Sequence, residues 1–264
     1  TSIQLFDKNN IVTPNYKPIL GLEIEQLNVF NHRKNIVFLQ KLEFDVWYNT
    51  KIKYPLLVAQ PIDEKTFKQN NEVRRDLIVD SFAPDINRNI TRRQTFTEED
   101  YYIYMEYGGS NGHNAPASYH KTNKKTYLST FKLSNHTPQE VVFNGSLWLM
   151  LEVWCKNLQK NKDLTNIVVY TGSIPDKEEK TFNTTKLNVP THMFKVVTAL
   201  DKTEGDNPNN MYIACFLMKN DVPDNKYYKI YKSLVSLKDI SRKSNIDFFK
   251  FFKEYSGFKE GFQI

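Results

Sequence analysis

The chain has 264 residues, a length that fits one large domain or two small ones. Apolar residues make up 40% and aromatics 14%, and no apolar run approaches the ~20 residues of a membrane-spanning helix, so wholesale disorder and a transmembrane span are both excluded. A formal charge of +6, from 36 Lys and Arg against 30 Asp and Glu, suits a polyanionic partner without requiring one; nine glycines and no repeat exclude fibrous, coiled-coil and solenoid architectures.

Residues 1–34 read as an extension ahead of a single domain over 35–264, and contain no signal-type apolar core and no Arg/Ser-rich amphipathic presequence. Short runs rich in β-branched and aromatic residues then predict a meander of strands over 36–39, 44–48 and 54–59. Residues 60–107, rich in Arg, Asp and Asn, read as a long surface segment with few strand signals. Residues 108–113 form a glycine-punctuated turn that ends on His113. Strand-like stretches recur at 126–133, 166–170, 191–200 and 211–218. Between them, 144–159 is the clearest helix: Leu147, Leu151, Trp154 and Leu158 form an apolar stripe that packs on a sheet. Further helices are expected over 237–244 and 248–255. Strands and helices intermixed without a regular βαβ beat make the class α+β. Cys155 and Cys215 have neither metal-ligand nor redox spacing and read as small buried apolar residues.

Two features carry chemistry. Asn144, Trp148 and Glu152 recur every four residues, drifting only ~40° per step, so an amide oxygen and a carboxylate share one helix face. Mg²⁺ takes one or two protein oxygens and keeps several waters, so Asn144 could ligate it and Glu152 orient its waters; the plain alternative is a helix cap and a solvated Glu. His113, after Gly112, is a general-base candidate near neutral pH, with a surface or turn histidine as the plain alternative.

The surrounding residues resemble a known signature. Asn111-Gly112-His113-Asn114-Ala115-Pro116, then Ser134-Asn135-His136-Thr137-Pro138-Gln139, then Asn144-Gly145-Ser146-Leu147-Trp148 and Leu151-Glu152 resemble the DNA/RNA non-specific endonucleases. Tyr170-Thr171-Gly172 and Val189-Pro190-Thr191-His192-Met193-Phe194-Lys195-Val196 resemble the endonuclease G branch in particular, as do Phe82-Ala83-Pro84-Asp85 and Asp100-Tyr101 upstream. The resemblance covers about residues 35–250. It implies a ββα-metal (His-Me finger) fold, a central mainly antiparallel sheet flanked by helices. It also implies a cofactor, Mg²⁺ or Mn²⁺ in its place, and sugar-non-specific hydrolysis of DNA and RNA phosphodiesters. The implied catalytic set is His113 as general base, Glu152 holding the metal's waters, and Asn135, which with Gln139 braces the histidine loop. Asn144 is the implied metal ligand. A homodimer and a mitochondrial location follow from the branch.

One departure stands out. The family's Asp-Arg before Gly-His is Ser110-Asn111 here, which removes a carboxylate and a cation and predicts a lowered rate. Asn111 can still donate hydrogen bonds to substrate. Arg75, or its neighbours among Arg74, Arg92, Arg93, Lys121, Lys124 and Lys125, could replace the charge. Lys156 is placed either to meet phosphate or to pair with Glu152 four residues before it. The same departure keeps a second reading open: a weakened or inactive homologue serving as a nucleic-acid-binding or structural subunit of a larger, mitochondrial assembly.

Overall fold

The computed structural model describes residues 35–68, 70, 73, 84–86, 90–177, 187–202, 211–224, 229–252 and 259–260. The predicted meander forms: β1 (Ile36–Gln40), β2 (Asp45–Asn49) and β3 (Tyr54–Ile62) pair antiparallel in sequence. β3 runs three residues further than its apolar pattern, because Gln60, Pro61 and Ile62 still pair with Val169, Val168 and Ile167.

The segment 60–107 is not only surface. It holds α1 (Glu98–Glu106), started by a capping box in which Thr97 and Asp100 satisfy each other's backbone N–H. Only Tyr101 and Tyr104 of α1 are buried, so the helix lacks the broad apolar stripe that would have announced it. The turn predicted over 108–113 is a strand, β4 (Gly109–His113), paired antiparallel with β5 (His136–Glu140). The strand predicted over 126–133 is mostly helix: α2 (Lys124–Ser129) followed by a 3-10 turn, Leu133–Asn135. Here local capping outweighs strand propensity: the Asn123 side chain accepts from the Thr126 N–H at 2.9 Å, and the Ser129 and Thr130 hydroxyls donate back into the preceding turn.

The helix predicted over 144–159 comes in pieces: α3 (Val141–Phe143), a π-helical turn (Asn144–Trp148) and α4 (Leu149–Asn157). Three long strands follow, β6 (Leu164–Ile174), β7 (His192–Asp201) and β8 (Met211–Lys219). Asn166, with φ 50°, sits where the β6–β7 register shifts. The chain closes with β9 (Leu234–Val235), α5 (Leu237–Ser244), α6 (Phe248–Phe251) and β10 (Lys259–Glu260); the rest of the helix predicted over 248–255 lies outside the described residues, as does the extension 1–34.

The main sheet runs β1-β2-β3-β6-β7-β8-β10, with β9 also on β8, and every pair is antiparallel except β8–β10. Both faces of its centre are covered. On one side, Trp47, Leu57, Tyr170, Phe194, Val196 and Ile213 meet α5 and α6 through Leu237, Ile240 and Phe248. On the other, Val169, Met193, Val197, Ala214 and Phe216 meet Leu147 and Trp148 of the π turn and Leu151 and Cys155 of α4, with Trp154 and Leu158 partly buried beside them. The predicted stripe therefore packs on the sheet. Burial on both faces explains why β7 and β8 read as nearly continuous apolar runs. Both cysteines are free and buried, and among the described residues no helix is long and apolar enough to cross a membrane.

Candidate active site

The β4–β5 hairpin is short and polar, and its geometry is set by two glycines. A Cβ on Gly109 would lie 2.2 Å from the Tyr104 ring, and one on Gly112 would lie 2.1 Å from Cδ of Gln139. With both side chains absent, the strand closes down on α1 and on its partner strand. This register puts His113 directly opposite His136, their ring centroids 4.2 Å apart, with the edge of Phe131 at 4.9 Å. His136 donates from Nε2 to the Thr130 carbonyl at 3.0 Å, which fixes its proton there. His113 keeps a buried Nε2 with no hydrogen-bond partner among the described residues. Burial, seconded by the charge of His120, pushes its pKa down to about 4, so it is neutral at pH 7 and able to accept a proton.

Asn135 locks the turn after His113. It accepts from the Ala115 N–H at 2.9 Å and donates to the carbonyls of Ala115 and Thr130 at 3.0 and 2.9 Å. Its amide is thus spent on backbone and the side chain is fully buried, which makes Asn135 a positioning residue rather than one that touches substrate. Asn114 adds bonds to the Asn135 carbonyl and Thr137, and Ser134 donates to Asp85 at 2.6 Å. Gln139 makes no such brace: it lies buried against Gly112, and neither of its polar atoms has a partner among the described residues.

Asn144 meets the hairpin through Ser110. Its Nδ2 donates to Ser110 Oγ at 2.8 Å, so this serine orients the amide. The even four-residue spacing does not carry through the helix as an α-helical face, because Asn144–Trp148 is a π turn. Trp148 is buried, while Asn144 and Glu152 are half-buried. Tyr119 OH donates to the Glu152 backbone carbonyl. Burial pushes the Glu152 carboxyl up to about 7, against the opposing pull of Lys195, so it is not a freely solvated surface acid.

Lys195 is the residue the sequence reading passed over. It shares a face of β7 with Met193 and Val197, is only 1% exposed, and donates to Thr171 Oγ1 at 2.7 Å. Its ammonium lies 4.5 Å from the Trp148 ring centroid. The available signal was a lone cation interrupting the apolar run of β7. Lys156, by contrast, lies one turn beyond Glu152 in α4 and contacts the Phe67 ring instead of pairing with that carboxylate. Asn111 shares a strand face with His113. Arg74 and Arg75 lie outside the described residues; Arg92 and Arg93 are exposed in a 3-10 turn.

The donor chemistry fits a hard divalent ion. With Nδ2 committed to Ser110, Oδ1 of Asn144 remains as a neutral oxygen donor, a type that suits a cation retaining most of its waters.

A hairpin that ends on a neutral histidine, locked by an asparagine and tied to a helix bearing an amide and a carboxylate, is the ββα-metal nuclease arrangement. The chain belongs to the DNA/RNA non-specific endonuclease family, whose model matches residues 27–253. It is 30% identical over 178 residues to the mitochondrial nuclease EXOG of Danio rerio, covering 64% of this chain and 49% of that protein. It is 30% identical over 160 residues to the mitochondrial nuclease of Saccharomyces cerevisiae (53% and 49%). Nuclease C1 of Cunninghamella echinulata var. echinulata is 27% identical over 222 residues, covering 80% of this chain and 82% of that protein. The chain thus spans about half the length of the two mitochondrial relatives. Among solved structures, the crystal structure of an EndoG/EndoGI complex matches with a TM-score of 0.62 and 21% identity over 79% of this chain and 84% of that one, a likeness of fold.

Proposed function

We propose that this chain is a divalent-cation-dependent nuclease that hydrolyses the phosphodiester backbone of DNA and RNA. The observation that carries the reading is the Ser110–Asn144 hydrogen bond, which ties the strand bearing His113 to the helix bearing Glu152. His113, neutral at pH 7, takes the proton of the attacking water. Asn144 Oδ1 would hold Mg²⁺, or Mn²⁺ in its place, with the Glu152 carboxyl placed to hold its waters. The bound ion supplies charge relief at the reacting phosphate and the leaving oxygen. Asn135 holds the histidine turn in register. Asn111, beside His113 on the strand face, contacts the substrate backbone, as does Lys156 on the helix, and Arg75, which lies outside the described residues, is the further substrate-binding charge carried over from the sequence. Recognition through phosphate rather than base edges makes the enzyme sequence-tolerant. A mitochondrial location belongs to the same proposal, supported by the mitochondrial nucleases among the relatives, and a homodimer is its expected partner by the sequence resemblance alone.

The test is digestion of plasmid and single-stranded RNA by the purified chain with Mg²⁺, beside EDTA, His113→Ala and Asn144→Ala controls. Cleavage is expected to vanish with EDTA and to fall by at least ~100-fold in each variant. Cleavage that survives EDTA and both substitutions overturns the assignment. No cleavage by the unmodified chain, with salt-sensitive binding retained, selects a nuclease fold recruited for binding.

A further inference from the structure

Asn220, the residue after β8, spends its whole amide group on backbone of other segments. Nδ2 donates to the Pro138 carbonyl at 3.1 Å and to the Pro190 carbonyl at 2.9 Å, while Oδ1 accepts from the Glu140 N–H at 2.9 Å. Its own backbone N–H donates to the Thr191 carbonyl at 3.0 Å, and the Thr191 N–H donates to the Ile174 carbonyl at 2.9 Å. One half-buried side chain thus ties β5 to the place where β6, β7 and β8 end or begin.

The pattern of these bonds is that of a neighbouring strand. The Pro138 carbonyl and the Glu140 N–H are two residues apart on β5, so both lie on the edge turned away from β4. Among the described residues the β4–β5 sheet has two strands, and no third strand covers that edge. The primary amide of Asn220 offers the one N–H and one C=O that such a strand would supply.

What starts from this stretch of β5 is the helix of the site. Glu140 is the N-cap of α3, its carboxylate accepting from the Phe143 N–H at 2.6 Å, and Asn144 is the next residue. Gln139, between the two clamped residues, stands opposite Ser110, whose hydroxyl receives the Asn144 amide at 2.8 Å. Clamping β5 on either side of Gln139 therefore fixes both supports of Asn144, the start of its helix and the strand that bears Ser110.

We propose that Asn220 is a positioning residue for the metal site, standing in for a third strand beside β5 and holding Asn144 in place through Glu140 and Ser110. This rests on the reading of Asn144 as the ligand.

The experiment measures Mn²⁺ binding by electron paramagnetic resonance, without nucleic acid, for the unmodified chain, Asn144→Ala, Asn220→Ala and Asn220→Asp. Asn144→Ala defines the binding that belongs to the site. Residues that orient a metal ligand typically contribute 10- to 100-fold to affinity, and Asn220→Ala is expected to weaken that binding about 10-fold. Asn220→Asp keeps the shape and the acceptor for Glu140 but offers no hydrogen to Pro138 or Pro190, so it is expected to weaken binding too. Binding of a 20-base-pair duplex in EDTA, read by fluorescence anisotropy, is expected to stay unchanged. Full Mn²⁺ affinity in either Asn220 variant overturns the clamp, as does an equal loss of metal and duplex binding, which would mark a defect of the whole fold. Amide hydrogen exchange at Glu140 in the unmodified chain gives a measurement that does not depend on a variant folding. Coupling between clamp and ion is reciprocal, so Mg²⁺ is expected to slow that exchange about 10-fold. Exchange that is unprotected, or indifferent to Mg²⁺, overturns the proposal. A chain whose Mn²⁺ binding depends on Asn144 and Asn220 but which cuts neither DNA nor RNA keeps the clamp and loses the nuclease reading. A chain that binds no Mn²⁺ at Asn144 loses both.

Discussion

Ser110 and Lys195 show how single side chains set the active site. Ser110 is uncharged but receives the Asn144 amide at 2.8 Å. Removing that anchor with Ser110→Ala frees the amide to rotate, and residues that orient a metal ligand typically cost 10- to 100-fold in metal affinity when lost. The Mg²⁺ concentration for half-maximal cleavage should therefore rise by about 10-fold in Ser110→Ala. It should fall below the unmodified value in Ser110→Asp, whose carboxylate accepts the same N–H more strongly. Initial rates across a Mg²⁺ series decide it, and equal half-activation in all three proteins would sink the idea. Lys195 poses the opposite problem, a cation fully desolvated between Thr171 and Trp148. Replacing a buried charge by an apolar residue of similar volume is often neutral or stabilising. Lys195→Met should thus melt no lower than the unmodified chain, yet cut at least ~10-fold more slowly, because Glu152 loses the one cation opposing its burial. A purely structural lysine would give the reverse pattern, with lower stability and unchanged rate per folded molecule.

At the scale of elements, the β4–β5 hairpin depends on close approach. Gly112→Ala drives a methyl to 2.1 Å from Gln139 Cδ on the partner strand, so the side chain or the strand must shift. Overpacking of this kind costs about 1–3 kcal/mol. Urea denaturation should show that loss, with cleavage falling further than the folded fraction does because His113 is the next residue. A variant with full stability and full activity would show that the strand has slack. The hairpin also marks where sequence reading stopped. Long strands β6, β7 and β8 and the apolar stripe of α4 were legible because burial writes itself into apolar periodicity. β4 carries Gly-Ser-Asn-Gly-His, with no strand former among them, and is held by its partner and by two missing side chains rather than by propensity. α2 contains Thr and Tyr that argue for a strand, and Asn123 overrules them by capping. His113, Asn144 and Glu152 were legible as candidates because motif spacing does not depend on such local changes. Lys195 was not, since its meaning appears only once β7 is laid against Trp148. The π turn at Asn144–Trp148 was equally hidden, because nothing in four-residue spacing tells an α turn from a wider one.

For the molecule as a whole, the buried site groups pull acid stability in opposite directions. His113 has its pKa lowered from 6.5 to about 4, so between those values the unfolded chain binds a proton that the folded chain refuses, and stability falls as pH falls. For this group alone the loss from pH 7 to pH 5 is about 2 kcal/mol. His136, also held well below its ordinary value by burial, adds in the same sense. Glu152 does the reverse: raised from 4.5 to about 7, it takes up a proton more readily when folded, so stability rises as pH falls through that window, again by about 2 kcal/mol between pH 7 and pH 5. In the unmodified chain without metal the His113 and Glu152 contributions nearly cancel. Glu152→Gln keeps the shape and removes one side of the balance, so its loss of stability from pH 7 to pH 5 should exceed that of the unmodified chain by about 2 kcal/mol. His113→Gln should shift the balance the other way, losing less than the unmodified chain or gaining. Urea midpoints for the three proteins at both pH values, in EDTA, measure this directly. Parallel pH dependence in all three would mean that neither group is held away from its ordinary pKa, and the neutral base at His113 would then need another cause.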